Sequence, residues 1–301
     1  MKLGLSLPTA GTTASTEAIT EVAEGAERLG LDSVWAFERL LAPTGDVRLG
    51  EHTFPMPEVY RTVYSPLEVL AFAAARTSRV RLGTSIVLAL LHNPVSLARS
   101  LATLDQLSNG RVVAGLGQGW LEAEFEAAGT PLRRRGAGFV EFIDVMRAVW
   151  GPDPVSFDGR FYQVAESRVN PKPVQPGGPP LLAAAEVPAS IRRTAQLGLG
   201  FNPVWQSWEA LEGTVTAFRD AAREAGRDPD ELPVVLRVNQ PFTDTPTGDE
   251  ASPAGSPEQV AEALPRLERL GVTEVFWGME FQAEEQLQLM GRLLKLIGRD
   301  G

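Results

Sequence analysis

The sequence predicts an α/β fold, a (β/α)8 TIM barrel, and three observations carry that reading. Strand-like and helix-like segments alternate from one end to the other, the order expected of a parallel sheet with helices outside it. The count reaches eight of each, the number at which such a sheet closes into a barrel. No interdomain linker and no repeat beyond the βα unit interrupts the 301 residues, so one barrel domain over 1–301 is expected. An open doubly wound sheet is the rival on the count alone.

Each element has a local reason. "KLGLSLP" (2–8) is a short apolar strand. Residues 16–29 place Ile19, Val22, Ala23, Ala26 and Leu29 on one helical stripe, which stops at Gly30. "DSVWAF" (32–37) is the second strand, and 65–78 a helix with Pro66 in its first turn. "VRLGTSIVL" (80–88) precedes a helix over 93–110 that opens on Asn93-Pro94 and ends at Gly110. "RVVAGLG" (111–117) is answered by a helix near 136–150. After a segment rich in proline and glycine, "PLLAAA" (180–185), "GFNPVW" (200–205), "PVVLRVNQPF" (233–242) and "EVFWGM" (274–279) alternate with helices at 188–197, 207–225, 257–270 and 283–298. The third of these begins on a capping box at Ser256. Connections 39–65, 151–180 and 243–256 are too long for simple turns and make insertions after strands 2, 4 and 7. The first and third follow strand C-termini, where lids form. The third also reads as a plain acidic loop. Within the second, "VSFDGRFYQV" is expected to be a hairpin turning at Asp158-Gly159.

Composition excludes several kinds of function. A formal charge of −10 argues against nucleic acid or an anionic membrane surface as partner. The absence of cysteine removes disulfides, thiolate nucleophiles and iron–sulfur ligation. His52 and His92 are the only imidazoles, so no multi-histidine metal site is expected. No apolar stretch is long enough to span a bilayer and no signal-peptide pattern opens the chain, so the expected address is cytoplasmic.

In a barrel, the groups at strand C-termini converge on one mouth. Here they include Pro8, Glu38, Ser85-Ile86, Gln118-Gly119-Trp120, Ala184-Ala185-Glu186, Asn202, Asn239-Gln240 and Trp277. The set lacks a nucleophile triad and a glycosidase-like carboxylate pair. Its small residues, amides and aromatics suit either a flat ring or simple capping of the core. A borrowed cofactor that carries the reaction would explain the shortage of reactive side chains. The glycines at 115, 117 and 119 lack the G-x-G-x-x-G spacing of a dinucleotide loop, because Trp120 holds the place of its last glycine.

The stretch 77–129, with "GTSIVLALLHNPVSLARSLATLDQLSNGRVVAGLGQGW" at its centre, resembles the luciferase-like monooxygenase superfamily. "GLDSVWAFERL" (30–40), "VWGPDPVSFDGRFYQV" (149–164), "NPKPVQPGGPPLL" (170–182) and "REAGRDPDEL" (223–232) extend the likeness, most of all to its F420-dependent oxidoreductases. The resemblance implies a small-molecule substrate and coenzyme F420 at the strand C-termini, with FMN as the alternative. An FMN enzyme would use oxygen and a separate flavin reductase. A homodimer is implied too. A non-catalytic barrel that has lost its cofactor site is the remaining alternative.

Position by position, the resemblance implies a non-prolyl cis peptide at Ser85–Ile86, behind the ring. It makes Gly117 and Gly119 bare backbone against which the ring or its tail lies. Glu38-Arg39 stands where the family often has Asp-His, so an acid is kept but arginine cannot shuttle protons. Ala184-Ala185-Glu186 replaces a Gly-Gly whose N–H groups hold the cofactor phosphate, and Glu186 is expected to turn outward. Gly198-Leu199-Gly200 replaces a following "GDG". Glu38 and His92 are the candidate catalytic residues. For Glu38 the competing role is a salt bridge to Arg39, and for His92 a place on a surface loop. Ser85, Ile86, Gly117, Gln118, Gly119, Trp120, Ala184, Ala185 and Glu186 are the cofactor candidates beside Glu38. Arg39, Arg133, Arg134 and Arg135 could meet an anionic cofactor tail, although a solvated charge run is the better reading of the last three. Trp120, Trp205 and Trp277 read first as packing.

Overall fold

The computed structural model describes residues 1–248 and 251–299. Its elements run in order β1 (Lys2–Ser6), α1 (Thr16–Arg28), β2 (Ser33–Ala36), β3 (Asp46–Leu49), β4 (His52–Pro55), α2 (Pro66–Ala74), β5 (Arg81–Leu88) and α3 (Pro94–Ser108). There follow β6 (Val112–Gly117), α4 (Glu122–Ala127), α5 (Ala137–Trp150), β7 (Val155–Asp158), β8 (Gln163–Ser167), β9 (Leu181–Ala183), α6 (Pro188–Gln196) and β10 (Gly200–Phe201). The last are α7 (Trp208–Glu224), β11 (Val235–Val238), α8 (Pro257–Leu270), β12 (Glu274–Trp277) and α9 (Ala283–Leu296). Eight of the strands form one parallel sheet in the order β10-β9-β6-β5-β2-β1-β12-β11. Bridges from Phe201 to Val234 and from Val204 to Arg237 join its two ends, so the expected TIM barrel is what the chain adopts.

The caps act where the sequence places them. The Ser15 side chain accepts from Ala18 N, and Asn93 Oδ1 accepts from Val95 N and Ser96 N at the start of α3. Ser256 and Gln259 form the capping box that opens α8, and Gly271 closes that helix at φ 85°. Other boundaries move. The fifth and sixth strands shorten to 181–183 and 200–201, because the chain beyond them turns out to line the mouth. The insertion at 39–65 contains a hairpin, β3–β4, that no turn dipeptide announced. The hairpin at 155–167 forms, but its loop spans 159–162 between Asp158 and Gln163. Glu141 of α5 holds that loop by accepting from the N–H groups of Arg160, Phe161 and Tyr162, which replaces the tight two-residue turn. Of the expected third lid, 243–256, residues 249 and 250 lie outside the described residues, as do the last two of the chain. Among the described residues, no helix is long and apolar enough to cross a membrane.

Below the mouth the barrel is filled. Trp35, Val113, Leu182, Val235 and Phe276 pack inside it, with the Trp35 and Phe276 rings stacked at 4.5 Å. The indole fits because Gly83 carries no side chain, since a Cβ there would overlap the Trp35 ring. Beneath this layer Trp35 Nε1 donates to Ser33 Oγ at 2.8 Å; Ser33 in turn bonds Glu274, which pairs with Arg81. Charge at this N-terminal end is thus committed to structure, and the barrel has one floor on which the mouth is built. Gly83→Ala should therefore destabilise the protein by about 1–3 kcal/mol through overpacking. Gly213→Ala, on α7 with open space around it, should stabilise by about 0.5–1 kcal/mol. Urea midpoints of the two variants check the contrast.

Candidate active site at the barrel mouth

The third barrel strand organises the mouth. Along β5 the pairing register with β6 shifts between Thr84 and Val87, and the peptide between Ser85 and Ile86 is cis, as the resemblance implies. Every polar group of this bulge is met by a different strand. Ser85 Oγ donates to Asn202 Oδ1 at 2.6 Å, and Asn202 Nδ2 donates to the carbonyl of Val235 at 2.7 Å. The Ser85 carbonyl accepts from Arg237 of β11. The Ile86 carbonyl accepts from Glu38 N at 3.0 Å. Ile86 is the residue within 82–88 whose side chain stays partly exposed.

The glycines of β6 answer to this bulge and not to a ring. A Cβ on Gly115 would run into the Thr84 carbonyl, and one on Gly117 into the Ile86 side chain. The space above Gly117 is therefore taken by the protein itself, which corrects its expected role as bare backbone for the cofactor. Gly119 is needed for its φ of +74°.

Glu38, at the end of the second barrel strand, does not pair with Arg39. Its carboxylate accepts from Leu88 N at 2.6 Å and meets His92 Nε2 at 2.8 and 3.1 Å. His92 is no surface-loop bystander. It directly precedes the Asn93 cap of α3, and its N–H donates to Ala89 O, so the backbone that carries it is fixed. Glu38 engages Nε2, so Nδ1 is the ring nitrogen without a protein partner among the described residues, on a ring about one-third exposed (34%). A histidine thus returns to the site from a different element than the family pattern suggested.

Arg39 is committed elsewhere. Its guanidinium pairs with Glu124 of α4 at 2.8 Å, and Glu124 Oε1 also accepts from Leu40 N. Tyr60 and Trp120 cover the guanidinium with their rings at 4.9 and 5.4 Å. Burial pushes the Glu124 carboxyl above its ordinary value, and the Arg39 charge works against that rise. This buried pair ties the 39–65 insertion to the far side of the mouth, where Phe54 of the hairpin approaches Trp120. Arg39 is thereby removed from the candidates for a cofactor tail. Arg134 lies over the Phe161 and Tyr162 rings, while Arg133 and Arg135 are exposed beside the mouth.

The remaining expected residues fall in place with varied duties. Gln118 Oε1 accepts from Gly136 N at 2.7 Å and so anchors the chain entering α5. Ala184 N donates to Leu116 O, which takes that N–H away from any phosphate. The N–H groups of Ala185 and Glu186, just before α6, have no protein acceptor among the described residues. The Glu186 side chain is exposed. Trp205 packs on Trp208, and Trp277 Nε1 donates to Pro253 O at 2.6 Å, so both are packing residues. His52 is exposed on β4, away from the Glu38 pair. Gly198 and Gly200 are needed beside Arg227 and Leu182, respectively. Among the described residues, no three His, Asp or Glu side chains assemble as a metal-ligand set. Sequence reasoning missed Glu124, Tyr60 and Arg237. The last was legible as a charged residue between Leu236 and Val238 in a barrel strand.

A model of the luciferase-like monooxygenase family matches residues 1–252. The chain belongs to the luciferase-like monooxygenase family. An uncharacterized protein of Mycobacterium tuberculosis is 34% identical over 230 residues, covering 76% of this chain and 74% of that one. The F420-dependent glucose-6-phosphate dehydrogenase of Kineococcus radiotolerans is 28% identical over 235 residues, covering 76% of this chain and 65% of the relative. Among solved structures, the monooxygenase RslO1 from Streptomyces bottropensis superposes with a TM-score of 0.79 at 25% identity, covering 98% of this chain and 99% of that one. An F420-dependent dehydrogenase and a monooxygenase thus both stand among the proteins this chain is similar to, and an oxidoreductase is what they support.

The Arg39–Glu124 pair gives a direct test of how the mouth is held. Glu124→Gln should cost about 3–5 kcal/mol, because it leaves a buried guanidinium without its counter-charge. Replacing both partners by methionine should cost much less. Urea denaturation of the single and double variants reads the difference.

Proposed function

We propose that this chain is an F420-dependent oxidoreductase that passes a hydride between the deazaflavin and a small organic substrate. The observation that carries the reading is the Glu38–His92 pair, set beside the Ile86 bulge at the barrel mouth. The residues present fit the cofactor in two ways. Ile86 offers a partly exposed apolar surface at the end of β5, and the unpaired N–H groups of Ala185 and Glu186 precede a helix N-terminus, which suits a phosphate. Arg133, exposed beside the mouth, and Arg135, whose Nη1 donates to the Gly119 carbonyl at 3.4 Å, are the basic residues offered to a carboxylate-bearing tail. When bound, F420 supplies two-electron hydride chemistry with little reactivity toward oxygen.

The protein's own part is positioning and proton handling. Glu38 holds the proton on His92 Nε2 and stabilises the imidazolium when Nδ1 takes a second proton. His92 Nδ1 can then give that proton to a substrate oxygen, or take it back in the reverse direction. The Trp120, Phe54 and Tyr60 rings around the Arg39 pair keep water from that side. Replacement of Asp-His by Glu38 and a distant histidine changes which element supplies the imidazole and leaves the acid–base function possible.

The second reading is an FMN-dependent monooxygenase fed by a separate reductase, favoured by the likeness to RslO1 over the whole chain. Paired titrations with F420 and FMN decide between them. F420 should bind on the order of tenfold to a hundredfold tighter, about 1.4–2.8 kcal/mol. Tighter FMN binding with oxygen consumed on turnover would reverse the choice. Glu38→Gln keeps a hydrogen-bond acceptor for His92 and removes the charge. It should lower kcat at least tenfold, about 1.4 kcal/mol, while F420 affinity changes by less than threefold.

A further inference from the structure

Arg237 is a charged side chain that the fold does not explain. Alternation along β11 turns it inward, one layer above Val235, which belongs to the barrel floor. Nε donates to Asn239 Oδ1 at 2.7 Å and Nη1 donates to the Ser85 carbonyl. Its guanidinium lies over the Phe37 ring at 5.1 Å. All of these partners are neutral. Among the described residues no carboxylate pairs with it, and the acids near the mouth are occupied: Glu38 by His92 and Leu88 N, Glu124 by Arg39 and Leu40 N.

Arginine is an expensive choice for such a place. A neutral amide could hold the Ser85 carbonyl, whereas a half-buried cation without a counter-charge in contact is the less favourable choice. Burial pushes the Arg237 guanidinium down to about 10; the Tyr60 phenol works against that fall and the neighbouring Arg39 charge adds to it. Arg237 therefore remains protonated near neutral pH, and among the described residues no carboxylate forms an ion pair with it. Two of its five N–H groups are used, so a fork suited to a carboxylate or phosphate remains.

We propose that Arg237 is the recognition residue for an oxyanion group of the substrate, so that the molecules reduced or oxidised here carry a carboxylate or a phosphate. The substrate assignment rests on the oxidoreductase reading, whereas the anion site itself does not. The anion supplies the charge that Arg237 lacks, and its attachment at β11 fixes the rest of the substrate relative to Ile86 and His92. Neutral analogues of the same shape would leave the guanidinium uncompensated and bind weakly.

The test uses the full chain without cofactor, titrated with inorganic phosphate and with acetate at constant ionic strength set by chloride. Calorimetry and thermal shift are the readouts. Wild type should bind one of the two saturably with a rise in Tm. Arg237→Met should weaken that binding at least tenfold and abolish the Tm rise. Arg237→Lys, which keeps the charge and loses the fork, should fall between them and serves if the methionine variant does not fold. Arg99→Gln, an exposed position on α3 with no role at the mouth, should bind as wild type does. Equal binding by Arg237→Met and wild type, or no saturable binding by wild type, overturns the proposal. Repeating the titration with F420 present separates the sources. Anion binding that persists places the oxyanion on the substrate, and displacement by F420 assigns it to the cofactor and overturns the substrate claim. Failure of F420 to bind at all would sink the oxidoreductase reading and leave the anion result standing.

Discussion

Three residues, Thr84 to Ile86, hold the mouth together. Their bulge is pinned by Asn202 below, by Arg237 from across the barrel and by the Glu38 N–H from the neighbouring strand. The glycines of the next strand clear its path. Remove the bulge and each of these partners loses its reason to be where it is: Glu38 would not face Leu88 N and His92, and the small residues of β6 would leave a void. The geometry of the site is set by backbone packing before any ligand arrives, which is the condition for a protein that orients a borrowed cofactor.

Charge is distributed in two separate ways around this centre. At the N-terminal end Arg81, Glu274 and Ser33 form a closed network under Trp35, and nothing there is left over. At the C-terminal end the Arg39–Glu124 pair closes one wall, the Glu38–His92 pair presents an exchangeable nitrogen, and Arg237 remains a cation among neutral partners. One end whose charges are all paired and another where Arg237 has no carboxylate in contact fit a barrel whose chemistry is expected above its strands.

Much of the fold was readable because its signals are local. The stripe of α1, the Asn93 and Ser256 caps and the alternation of strands with helices need no knowledge of distant residues. The site was readable only in part, for the opposite reason. Gly117 looked like room for a ligand because the sequence does not reveal that Ile86, thirty-one positions earlier, occupies that room. Arg39 looked free because Glu124, which pairs with it, is 85 positions away in the chain. His92 looked like a loop residue because its partner is 54 positions away. Arg237 carried a signal that went unused: a charge at an inward position of a barrel strand conflicts with its local pattern, and such conflicts mark functional positions.

The central claim is that the Ile86 bulge and the Glu38–His92 pair form the floor and the proton-handling wall of an F420 site. A crystal structure of the protein soaked with F420 tests it most directly. The account predicts the deazaflavin ring against Ile86 with its edge toward His92, and the phosphate on the N–H groups of Ala185 and Glu186. Density for the cofactor elsewhere, such as the groove of about 790 Å³ between α1 and α9 lined by Leu29 and Leu287, would contradict it.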